Sequence, residues 1–162
     1  MKMSSLAGIV KEHCSCFTAF YASHDLKLFA KEFNHGNKVK KAKQIFDWMT
    51  ENVKYDQEQK YYKSATEVYW SRTGVCFDMS LLYIVLSRLC GLKTKMAIVK
   101  KDYLNERVHH ACVSLEFMFD KILVDPAYYT FNIRHRKYKL VNDDYVRSMY
   151  NAFNYKAMHS IT

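Results

Sequence analysis

An α+β fold is expected from three features of this 162-residue sequence. Its first half carries apolar residues at helical spacing. After Gly91 the chain turns to short runs of β-branched and apolar residues bounded by polar turns. Between the two halves stands one segment, from Val75 or Cys76 to Cys90, that is apolar on almost every side. Such a helix is buried on most of its circumference, so N-terminal helices followed by antiparallel strands imply that it packs on a small antiparallel sheet.

Residues from about 5 to 33 read as helical, broken near Ser23-His24-Asp25, and Asn34-His35-Gly36-Asn37 reads as a turn. From Asn37 to Val53, the residues Val39, Ala42, Ile45, Phe46, Met49 and Val53 recur at helical spacing behind the Asn37 cap. Ser64-Ala65-Thr66-Glu67 is a capping-box pattern that opens a short helix through Trp70, and Ser71-Arg72-Thr73-Gly74 breaks it. The buried helix follows, and Gly91 stands where a left-handed cap is needed. Strands are expected at Thr94–Lys100, His109–Phe117 and Lys121–Asp125, with a weaker one that includes Tyr138, Leu140 and Val141. Asn142-Asp143-Asp144 opens a last helix, with acids in its first turn as the helix dipole favours.

Composition narrows the class. A chain of this length buries roughly 70% of its extended surface on folding, enough for one domain with a real core. Hydrophobic residues are 49% and charged residues 25%, which excludes a disordered chain. With only 4 Gly, a phosphate-cradling glycine loop is not expected, and no dinucleotide motif is present. No apolar run is long enough to span a membrane, and the run Leu6–Val10 is too short for a signal-peptide core, so no membrane role and a cytoplasmic location are expected. The net charge of +9 raises a nucleic-acid role, with Arg134-His135-Arg136-Lys137-Tyr138-Lys139 as the densest basic run. A solvated lysine-rich surface is the preferred reading of that charge. The five cysteines are odd in number, which argues against a disulfide framework. His13-Cys14-Ser15-Cys16 has metal-binding atoms but no second pair at zinc spacing, so no metal is expected.

The chemistry centres on Cys76, at the start of the buried helix directly after a glycine-containing turn. The free N–H groups and dipole there stabilise a thiolate and can hold an oxyanion. Two histidines stand on the second strand. Alternation groups His109 with Ala111, Val113 and Leu115 on the core face, and His110 with Cys112 and Ser114 on a more polar one. His110 is therefore expected in a solvent-reachable cleft and His109 packed inside. Asp125, before Pro126 at the end of the next strand, can fix the imidazole's tautomer and its charge. Trp70 offers an indole N–H close before the nucleophile, as an oxyanion donor or a wall of the cleft; Tyr55, Asn52 and Gln44 are weaker donors. Asp78, in the first turn, is expected to cap helix N–H groups and so to oppose the thiolate slightly.

The ordered set Gly74-Val75-Cys76-Phe77-Asp78, His110-Ala111-Cys112-Val113 and Val124-Asp125-Pro126 resembles the transglutaminase-like cysteine-enzyme superfamily, a relative of papain-like proteases. Ile45 to Asp56 resembles the helix that precedes the nucleophile there. The resemblance spans about residues 42 to 127; with the chain length it gives the expectation of a single domain over 1–162, with a transglutaminase-like or papain-like core at about 37–127. It implies Cys76 as nucleophile, His110 as general base and acid, and Asp125 as orienting carboxylate. The reaction it implies is acyl transfer from a peptide or protein amide through a thioester, with no cofactor. Cys112 and Ser114 depart from the family's usual aromatic and acid, which bears on the substrate class. A non-catalytic binding domain on the same fold, using its basic surface for nucleic acid or an acidic partner, is the alternative. Asp125→Ala is expected to lower activity and leave the fold intact.

Overall fold

The computed structural model describes residues 18–160. Five α-helices and seven strands lie within that range. Four of the helices begin on a polar residue whose side chain accepts a backbone N–H that the helix itself leaves unpaired. Ser23 does this for α1 (His24–Ala30), Asn37 for α2 (Lys38–Asn52), Ser64 for α3 (Ala65–Ser71) and Asn142 for α5 (Asp143–His159). Ser64 and Glu67 form the full capping box, and Arg72 in the left-handed conformation (φ 59°) ends α3. The remaining helix, α4 (Cys76–Leu89), starts on Val75, which has no acceptor. Asp78 reaches back to the Val75 N–H at 3.3 Å in its place.

The Ser23-His24-Asp25 break is the cap and first turn of α1, and a short 3-10 turn, Lys31–Phe33, extends that helix. Of the helical stretch expected before it, residues 18–22 form a turn closed by the Tyr21 N–H on the Thr18 carbonyl rather than a helix, and the rest, with the His13-Cys14-Ser15-Cys16 cluster, lies outside the described residues. Gly91 has φ 77° beyond α4, a conformation that a side chain would strain.

The sheet runs in the order β6-β5-β4-β3-β7, with every neighbouring pair antiparallel. Its strands are β3 (Lys93–Lys101), β4 (Arg107–Glu116), β5 (Lys121–Asp125), β6 (Thr130–Ile133) and β7 (Lys137–Val141). β6 was not legible in the sequence, because it is four residues long and holds Asn132 at φ 64°. A separate parallel pair, β1 (Lys54–Tyr55) with β2 (Thr73–Gly74), is equally short.

Helix α4 fills the middle. It packs against α1, α2 and α3 and against β3 and β4. Phe77, Met79, Leu81, Leu82, Tyr83, Ile84 and Leu86 are all at most 2% exposed, as the nearly uniform apolar sequence requires. The Tyr83 hydroxyl donates to the Ala42 carbonyl of α2 at 2.9 Å, so this buried aromatic keeps a polar partner. At the far end, Arg88 grips Asp143 with two hydrogen bonds of 2.7 and 2.9 Å and ties α4 to α5. No helix among the described residues is long and apolar enough to cross a membrane.

Candidate active site

The nucleophile candidate is set by the chain just before it. The β1–β2 pair aligns Tyr55 with Gly74, and the Asp56 N–H donates to the Gly74 carbonyl at 3.0 Å. Gly74 has to be small: a Cβ there would sit 3.0 Å from the Asp78 Cβ. Cys76 then opens α4 as a free, half-buried thiol. Its own N–H is the first helical amide and has no partner within the helix, which suits an oxyanion.

Asp78 lies two residues on, fully buried, and accepts from the Val75 and Lys63 amides and from the Gln59 side chain. The expected capping role is thus present. Burial outweighs these bonds and pushes the Asp78 pKa from 3.8 up to about 7. A carboxyl whose folded value is raised adds stability that is full below its unfolded value and is lost as pH rises through the folded one. The wild-type Tm is therefore expected to fall between pH 4 and pH 7 through this group. Asp78→Asn should flatten that part of a Tm-against-pH curve; an unchanged slope would remove Asp78 as its source.

His110 and Asp125 meet at the ends of β4 and β5. The His110 Nε2 lies 2.7 Å from the Asp125 Oδ2, leaving Nδ1 as the nitrogen for the thiol. Burial by itself pushes the His110 imidazole down. Asp125, through its hydrogen bond and its charge, and then Cys76 overcome it and raise the pKa from 6.5 to about 9. Burial likewise acts to raise the Asp125 carboxyl, and hydrogen bonds from His110, His135 and the Tyr128 amide bring it below its usual range.

Two further residues complete the cluster. Tyr128 lays its ring over His110, with centroids 4.4 Å apart, and its N–H donates to the Asp125 Oδ1 at 3.0 Å. His135 places its Nε2 2.7 Å from the same Asp125 Oδ2 that His110 uses. The three ligand-type atoms of His110, Asp125 and His135 lie within 4.8 Å of one another. An ionised carboxylate offers no proton, so both Nε2 atoms carry hydrogens aimed at Oδ2, and the cluster is held by hydrogen bonds.

Several expectations need correction. His109 is exposed rather than packed inside. The sheet shifts register between Val99 and Lys101, opposite the start of β4, so the core face of the strand has ended before His109. The His110 side is not the open one either: His110 is 8% exposed, and Cys112 and Ser114 are buried. A second apolar cluster of Ala97, Val99, Cys112, Leu123 and Ile133 is built on that face. In the basic run, Arg134, Arg136, Lys137, Tyr138 and Lys139 are exposed as expected, whereas His135 turns inward. A charge run gives no sign of a single inward residue; the spacing of the short β6 and β7 sets it. Trp70 sits in α3 with 53% of its surface exposed. Tyr55 is half-exposed, and its pKa is raised by burial and then by the Cys76 and Asp78 charges.

A family model described as the transglutaminase-like superfamily matches residues 27–126. Among solved structures, the chain is similar to a candidate cysteine protease from Cytophaga hutchinsonii, with 25% identity and a TM-score of 0.62 over 76% of this chain and 44% of that one. A candidate protease from Parabacteroides distasonis is similar at 16% identity and a TM-score of 0.52, over 61% of this chain and 22% of that one. The chain thus spans less than half the length of either. LapG of Legionella pneumophila, in an EGTA-treated form, is similar over 97% of this chain and 100% of that one, at 14% identity and a TM-score of 0.59. The last two likenesses bear on the fold. No curated protein matches the chain.

Proposed function

Because the chain belongs to the transglutaminase-like superfamily, we propose that it is a cysteine enzyme that breaks amide bonds in peptides or proteins, with Cys76, His110 and Asp125 as its reacting set. The observation that carries this reading is His110. It is hydrogen-bonded to a buried carboxylate at 2.7 Å, and against its burial Asp125 first and Cys76 second raise its pKa to about 9, as suits an acid–base held beside a nucleophile.

In the reaction, the Cys76 thiolate attacks the carbonyl carbon and an S–C bond forms. The oxygen takes up negative charge and the α4 N-terminal amides face it. The His110 imidazolium gives its proton to the leaving nitrogen as the C–N bond breaks, which leaves a thioester and a free amine. His110 then takes a proton from water as its oxygen attacks the carbonyl; the S–C bond breaks and an acid is released. An incoming amine in place of water gives a new amide.

Casein and a synthetic peptide mixture, incubated with the full chain with and without added alkylamine, test the reading by mass spectrometry. Wild type is expected to give cleaved or amine-bearing products and Cys76→Ala none. Water labelled with ¹⁸O separates hydrolysis from transamidation. Failure to form products, together with a Cys76 that iodoacetamide labels no faster than Cys90 and Cys112, would leave a binding domain in place of the enzyme.

A further inference from the structure

We infer that His135 is a fourth member of the site, a positioning residue that holds Asp125 ionised and aligned so that Asp125 can hold His110. The inference rests on the proposed Cys76-His110-Asp125 set and adds to it a residue that touches neither sulfur nor substrate.

The geometry is specific. Asp125 has no exposure to water, so every charge-stabilising contact must come from the protein. Its Oδ2 takes two imidazole Nε2 atoms at 2.7 Å each, and Oδ1 takes the Tyr128 amide. Hydrogen bonds to the ionised form are what keep a buried carboxylate charged against its desolvation. His135 supplies one of three such bonds and is itself fully buried along its side chain.

The loop that carries it is pinned. The Arg136 N–H donates to the Lys101 and Asp102 carbonyls at 3.1 and 3.2 Å, so the β6–β7 connection is tied to the end of β3. Tyr128 and His110 stand against the His135 ring edge-on, with centroids 5.5 and 5.7 Å away, and Tyr103 approaches from the β3–β4 loop at 6.5 Å. Asp102 in that loop spends its carboxylate on the Leu104 and Glu106 amides. The His135 Nδ1 is buried with no hydrogen-bond partner. A proton there would be a stranded donor, so the ring is fixed as the tautomer that carries its hydrogen on Nε2, facing Asp125.

Without that donor, Asp125 holds its charge less firmly and His110 loses part of its counter-ion. The imidazolium should then give up its proton at lower pH. Alkylation of Cys76 in the full chain, followed by mass spectrometry from pH 5 to 10, reads this. Iodoacetate is the probe, because its carboxylate is drawn to the imidazolium and its rate falls as His110 loses its proton.

Wild type is expected to lose rate through about pH 9. His135→Phe, which keeps the ring's bulk and removes the donor, should move that limb down by about one pH unit. His135→Gln, which returns an N–H near the Nε2 position, should restore most of the shift. A purely structural role would lower the labelled fraction without moving the limb, and a His135→Phe limb that coincides with wild type overturns the inference. If wild type itself superimposes on His110→Ala, the coupling between Cys76 and His110 is absent and the underlying reading falls first. Should His135→Phe not fold, ring ¹⁵N shifts of wild type at pH 8 decide instead: a hydrogen on Nε2 supports the role, and one on Nδ1 ends it.

Discussion

His110→Ala is expected to lower amide cleavage by about 100- to 10,000-fold, the range for loss of a general acid–base. It should also slow iodoacetamide labelling of Cys76 at pH 7, since the cation that favours the thiolate is gone. The same variant has a signature in stability. The His110 pKa rises from 6.5 to about 9 on folding, so its contribution is full below pH 6.5 and is lost as pH rises through about 9. Wild-type Tm should therefore decline on the alkaline side, and the decline should be shallower in His110→Ala. Equal alkylation profiles in the two proteins would show that Cys76 and His110 are not coupled.

Asp125→Ala is expected to reach further than the active site. The sequence suggests a change in activity with an intact fold, but the surroundings of Asp125 argue otherwise. Its side chain is wholly buried and takes hydrogen bonds from two imidazoles and one backbone amide. Removing it strands two buried histidines and the Tyr128 N–H. Breaking a buried pair in this way destabilises by about 3–5 kcal/mol, which corresponds to roughly 10 °C in Tm for a chain of this size. Activity should fall with it, because His110 loses both its orientation and its counter-charge. The sign with pH is opposite to that of His110. The Asp125 value is lowered on folding, so its contribution is present above about pH 4 and disappears as pH falls through the folded value. Thermal melts of wild type and Asp125→Ala at pH 3, 7 and 9 check both parts; a Tm within 2 °C of wild type at pH 7 would sink the stability claim.

Much of the fold was legible because local physics set it. Asn37, Ser64 and Asn142 each mark a helix start that a polar side chain caps, and Gly91 marks an end that only a left-handed residue serves well. The all-apolar α4 had to be central, and the three main strands carried their β-branched runs openly. The strands that escaped notice, β1, β2 and β6, are two to four residues long and exist through their partners rather than through any periodicity of their own.

By itself, the sequence determined that a cysteine opens the buried helix, that histidine and aspartate follow on successive strands, and that the family's motif order is kept. Those facts follow from residue type and spacing along one chain. Tertiary structure alone decided that His109 is exposed rather than packed inside, because the register shift beside Val99 ends the core face before it. It decided that His110 shares its side of the sheet with a second apolar cluster and lies under the Tyr128 ring. It decided too that His135, set among exposed cations, turns inward to share one oxygen of Asp125. The physical reason is common to all three. Burial and hydrogen-bond partnership depend on which segments the sheet brings side by side, and a contact between residues in different strands leaves no trace in the spacing of either.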